Sequence, residues 1–133
     1  MQMTKVARTP TLVLLFLFEL SGCSAGVSPN QVCGTYVASY PFGTEIISLN
    51  QNGSFTQIIT VKNDPPVTTR GKWSFDPHTS SVTFDGLKIV DDGTGHPVSN
   101  WRTGTAMLVT KDVEMRWFKV VMETAASYPY IRR

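Results

Sequence analysis

Residues 44–87, TEIISLNQNGSFTQIITVKNDPPVTTRGKWSFDPHTSSVTFDGL, alternate apolar and polar side chains at a period of two. The alternation is cut at Asn52-Gly53, Pro65-Pro66 and Asp76-Pro77, and it resumes in phase after each cut. Short runs of period two separated by turn residues predict an antiparallel meander. Successive strand side chains point to opposite faces, so Glu45, Ile47 and Leu49 share one face, and Phe55, Gln57, Ile59 and Val61 continue it after the turn. Asn52-Gly53 tolerates positive φ and reverses the chain so that Leu49 meets Phe55. Further on, Trp73 and Phe75 oppose Arg70, Lys72 and Ser74, and Val82 and Phe84 alternate with Ser81, Thr83 and Asp85. Four strands with one apolar face each must bury that face on something.

Upstream, Val32 to Tyr40 has the pattern of a first strand, with Gly34, Tyr36, Ala38 and Tyr40 on one face, and Pro41-Phe42-Gly43 turns it into the meander. Downstream, Leu87 and Ile89 extend a strand across Gly86, where a missing side chain permits a bulge. Asp91 to Pro97 is the longest loop-like segment. A run from Thr103 to Thr110 follows, Lys111-Asp112 is a candidate two-residue reversal, and Val113, Met115 and Trp117 alternate with Glu114 and Arg116. Phe118, Val120 and Met122 then mark a change of phase; β-branched and aromatic content favours strand over a short amphipathic helix from Glu114 to Met122. Tyr128 to Arg133, with Pro129, suits a closing or edge strand. The sum is an all-β domain over residues 32–133 of about eight short strands, a number that closes into a small barrel and leaves no free edges.

Residues 1–22 stand apart. Lys5 and Arg8 precede seven apolar residues, Leu12 to Phe18, closed by Glu19, a basic start and a short apolar run that match a secretory signal and are too short to span a bilayer. Leu20-Ser21-Gly22-Cys23 resembles the bacterial lipobox, which is cleaved before its cysteine. The resemblance implies diacylglycerol on the Cys23 thiol, residues 23–31 as lipidated cysteine and tether, and, with Ser24 rather than Asp after the cysteine, delivery to the outer membrane facing the periplasm. The alternative is plain secretion with cleavage after Ala25. Lipidation would leave Cys33 as a single thiol; without it, a Cys23–Cys33 disulfide is open in an oxidising compartment.

Val32-Cys33-Gly34-Thr35-Tyr36 and Gly71-Lys72-Trp73 are similar to the glycine-x-aromatic strand starts of lipocalin-like proteins. That resemblance implies a barrel that holds a small apolar or amphipathic ligand. Small lipid-anchored barrels also resemble membrane-bound lysozyme inhibitors, which implies a protein-binding module using residues 91–101 instead.

A net charge of +2 with 17% charged residues, and no run of Lys or Arg, gives no footprint for a nucleic acid. No cofactor motif or CxxC pair occurs, and no metal centre is expected: His78 and His96 fall in separate turns, and Asp91-Asp92 lacks the alternating acids and closing glutamate of a calcium loop. No serine lies in G-x-S-x-G and no carboxylate pair stands out, so a non-enzymatic role is expected. The candidate ligand contacts are Glu45, the carboxylate whose parity puts it inside, with Tyr36, Trp73, Trp117 and Arg116. Glu45 either grips a polar ligand with Arg102 or Arg116 or sits wet at the barrel mouth, since a buried carboxylate must be paired or protonated. The tryptophans either line a pocket or fill the core.

Overall fold

The computed structural model describes residues 26–123 and 126–133. Residues 1–22, read above as a secretory signal, lie outside them, as do Cys23 and Ala25. Eight antiparallel strands, β1 (Gly34–Tyr40), β2 (Gly43–Leu49), β3 (Ser54–Val61), β4 (Val67–Asp76), β5 (Ser81–Leu87), β6 (Met107–Arg116), β7 (Lys119–Met122) and β8 (Tyr130–Arg132), run up and down into one closed barrel. Closure is made by β8, which pairs with β7 on one side and β1 on the other. The fold fits a lipocalin-like barrel.

The register follows the parity of the sequence. Glu45 faces Ile59 and Leu49 faces Phe55 across β2 and β3. Ile47, Leu49, Phe55, Ile59, Val82, Phe84 and Leu87 all point inward and are buried. Phe55 meets Phe84 edge to face, with centroids 5.2 Å apart, a geometry worth about 0.5–1.5 kcal/mol beyond the area buried. Gly71 is where it is because the Phe55 ring and the Asp85 carbonyl occupy the space of a side chain: a Cβ there would lie 2.1 Å from that oxygen. The bulge expected at Gly86 is present. Its φ is +102°, the β5–β6 register shifts between Asp85 and Leu87, and β5 ends at Leu87 with Ile89 outside.

The odd-numbered turns of the meander lie at one rim, here the upper: residues 41–42, 62–66, 88–106 and, of the β7–β8 connection, 123 and 126–129. The lower rim carries residues 50–53, 77–80 and 117–118 with both ends of the described chain. Each end of the barrel has its own stopper. Below, the single helical turn α1 (Pro29–Val32) takes in the end of the stretch read as tether and Val32, read as the start of the first strand; Val32 is buried, Val27 packs beside it, and the Tyr36 hydroxyl donates to the Val32 carbonyl at 2.6 Å. Above, Trp101 and Val90 from the long β5–β6 loop pack on Ile59 and Val61.

Two expectations are corrected in the C-terminal third. Lys111-Asp112 is no reversal: both lie within β6, which is continuous from Met107 to Arg116. Lys111 points inward and is buried, a residue type whose charge signalled a turn when it was in fact paired inside. The reversal is Trp117-Phe118, both at positive φ (48° and 66°), between β6 and β7. Trp117 therefore does not continue the inward row begun by Val113; it sits at a hairpin tip and is 93% exposed.

Candidate functional site

The inward face of the upper half carries a polar centre. Glu45, 1% exposed, is fixed by β2 pairing on both sides. Its Oε1 accepts from Gln57 Nε2 at 2.6 Å, and its Oε2 accepts from the hydroxyls of Tyr130 (2.8 Å) and Tyr40 (2.9 Å). Hydrogen bonds to a charged group are worth about 1.5–3 kcal/mol each, so three of them offset part of the desolvation penalty. Burial is still the larger effect and pushes the Glu45 carboxyl above its ordinary range; the bonds from Gln57, Tyr130 and Tyr40 and the Lys111 charge pull the other way. Burial, then the neighbouring carboxylate, also raises both Tyr40 and Tyr130.

From this centre a chain of contacts leads to the upper rim. Lys111 Nζ lies 4.8 Å above the Tyr130 ring and 2.6 Å from Glu123 Oε1. Gln57 also clamps the start of the β5–β6 loop, donating to the Lys88 carbonyl at 2.8 Å and accepting from the Lys88 amide at 3.0 Å. Tyr130, Glu123, Lys88 and Asp91 border a cleft of about 170 Å3. Among the described residues no buried side-chain nitrogen or oxygen lacks a partner. Glu45 is thus not wet, Arg102 and Arg116 are engaged elsewhere, with Pro65 and Trp101 and with Glu114, and both Glu45 oxygens accept bonds from within the fold.

The larger concavity is on the upper rim itself. A groove of about 430 Å3 runs between the loop and the start of β6, with an apolar floor of Ile89, Val98, Trp101 and Met107 and polar edges at Lys88 and Asn100. Its walls are held. Arg102 stacks on Trp101 at 4.8 Å and its Nη2 donates to the Pro65 carbonyl at 2.6 Å, while Lys88 Nζ donates to the Arg102 carbonyl at 2.6 Å. Beyond Val90 the loop is an ordered turn: Asp91 bridges to Pro97, Asp91 accepts from the amides of Gly93 and Gly95, and Asp92 accepts from Thr94 and His96. Those bonds, Thr94 first, hold Asp92 below the ordinary carboxylate range. The oxygens considered for calcium are therefore engaged with backbone amides, and no group of three metal-ligating side chains occurs among the described residues.

The five residues expected to share a ligand are not brought together. Glu45 lies in the upper half. Tyr36 is buried in the lower half against α1, its hydroxyl pushed up to about 12 by burial. Trp73 is half-buried at the lower rim, where its indole N–H donates to the Asn50 carbonyl at 2.9 Å. Trp117 and Arg116 are outside, with Arg116 paired to Glu114. The partners that do converge on Glu45 include Gln57, whose parity was legible, and Tyr130, which is 85 residues away and arrives only through closure of the barrel. Cys33, at the mouth below Gly34, is a free thiol. Compared with known protein families, curated proteins and solved structures, the chain matches none.

Proposed function

We propose that this chain is a non-enzymatic binding module of the bacterial cell envelope, lipid-anchored at Cys23 on the outer membrane facing the periplasm. Its ligand is small and apolar or amphipathic, and it binds in the upper-rim groove instead of the barrel lumen. The observation that carries this reading is the groove of about 430 Å3, which falls in the size range of small-molecule sites and sets an apolar floor beside the Lys88 ammonium. The lumen offers no such place, because Tyr36, Phe55, Phe84, Met122 and the Glu45 centre fill it with buried side chains. The anchor rests on the lipobox resemblance of Leu20 to Cys23.

Titration of the full chain with N-phenyl-1-naphthylamine, displaced by a fatty acid, should give saturable fluorescence. Met107→Glu, a change at a half-exposed groove residue, should weaken it about tenfold by placing a carboxylate on the apolar floor. Unchanged binding in that variant would remove the groove from consideration. Palmitate labelling in cells, with Cys23→Ala as the control, tests the anchor separately.

A second reading, a protein-binding module akin to lysozyme inhibitors, is favoured by the ordered 91–97 turn, which needs no further ordering on contact. Pull-downs with the full chain and with one in which 91–101 is replaced by a short turn should then differ in their captured proteins; identical sets count against it.

A further inference from the structure

The hairpin tip at the lower rim has no role in the fold or in the reading above. Trp117 is 93% and Phe118 98% exposed, so neither ring buries appreciable surface within the barrel. Both residues hold positive φ, in a two-residue connection where Asn and Gly are the residues of least strain. Two large aromatic side chains are thus kept in a costly backbone conformation with nothing gained inside the molecule, the kind of outlier that points to use outside it. Met115, half-exposed, adds apolar surface in the same cleft as Phe118.

The surroundings say what that use is. Arg116 and Lys119 flank the tip, and a cleft of about 350 Å3 beside Phe118 and Met115 is bordered by Lys119, Arg132 and Arg133 and by no Asp or Glu side chain. Glu114 pairs with Arg116, and Asp76 stands at the end of β4, where it accepts from the His78 amide at 2.8 Å. The chain enters the barrel through Gly26 at this same rim, three residues after the Cys23 proposed above as the lipid anchor. A protruding aromatic tip ringed by cations matches the boundary of a bilayer, where aromatic rings settle among the headgroups and Lys and Arg meet lipid phosphates.

We propose that the Trp117-Phe118 hairpin, with Lys119, Arg132 and Arg133, is a docking surface for an anionic lipid bilayer that sets the barrel upright with its groove facing away. This orientation does not depend on acylation of Cys23; it would hold for any route that brings the chain to the surface.

The test reads the depth of the hairpin in the full chain on vesicles of phosphatidylcholine and phosphatidylglycerol with brominated acyl chains. Trp117 emission should shift to the blue and be quenched, and on pure phosphatidylcholine it should not. Replacing the tip by a strain-free turn, Trp117→Asn with Phe118→Gly, should reduce quenching to the level of Trp73 and Trp101. Because that turn suits the hairpin better, its urea midpoint should equal or exceed the wild type's, which separates lost docking from lost folding. Lys119→Gln and Arg133→Gln should each lower the ratio of docked to undocked hairpin about fivefold on the anionic vesicles. Unquenched wild-type Trp117, quenching that survives the Asn-Gly replacement, or a hairpin-dependent dimer or protein complex in place of vesicle contact would each overturn the proposal.

Discussion

Trp101 and Trp117 are the same side chain at opposite rims of one barrel, and they serve different ends. Trp101 is 8% exposed, lies on Ile59, Val61 and Val90, and is covered by the Arg102 guanidinium. Trp117 is 93% exposed at a tip with positive φ. The first contributes its apolar area to folding; the second contributes little, and keeps that area for a partner. The lesson is that an aromatic residue's worth is set by what its strand or loop lets it touch.

The sharpest way to break that contrast is Trp101→Ala. Removing a buried indole should cost about 3–5 kcal/mol, read as a lowered urea midpoint with an unchanged slope. An effect under about 1 kcal/mol would mean that the upper loop is not part of the core. Next comes Glu45→Ala, which strands the hydroxyls of Tyr40 and Tyr130 and the Gln57 amide and should cost about 3 kcal/mol by the same measurement. Tyr130→Phe removes one of those bonds while leaving the ring under Lys111, and should cost about 2 kcal/mol.

The polar centre also predicts a pH dependence. Because burial raises the Glu45 carboxyl in the folded state, the folded chain holds that proton more tightly than the unfolded chain does. Its contribution to stability is complete below the ordinary glutamic acid value, about 4.3, and declines as pH rises through the higher folded value. Urea midpoints measured upward from that value should therefore fall in the wild type, and Glu45→Gln should flatten the decline. At the other rim the smallest effect, of opposite sign, is expected: the Asn-Gly replacement of Trp117-Phe118 should leave stability unchanged or raise it by up to about 1 kcal/mol. A loss there would mean that the exposed rings pack on something within the barrel.

Where period two was uninterrupted, the sequence carried the fold. Leu49 opposite Phe55, Glu45 turned inward and the bulge at Gly86 follow from parity and glycine chemistry alone. Parity failed where chemistry and position disagree. Lys111 looks like turn material because free lysines are solvated, and its partner Glu123 lies beyond β7, in the connection to β8. Trp117-Phe118 looks like strand because its aromatic residues carry no turn signal, and the reversal is imposed by the β6–β7 ladder from Val113–Met122 to Arg116–Lys119. The candidate site was half legible for the same reason. Glu45 and Gln57 are on adjacent strands, whereas Tyr130 reaches them only after β8 closes the wall, a contact no local pattern encodes.

Eight strands running alternately up and down deliver the last residue of the wall beside the first. Arg133 accordingly emerges next to the entry of the chain, its amide bonded to the Thr35 carbonyl at 3.0 Å. A purification tag or fluorescent fusion placed after Arg133 would hang beside the aromatic tip and act as a wedge under it. A reporter spliced between Asn63 and Asp64, both exposed in the turn on the far side, would leave that underside clear.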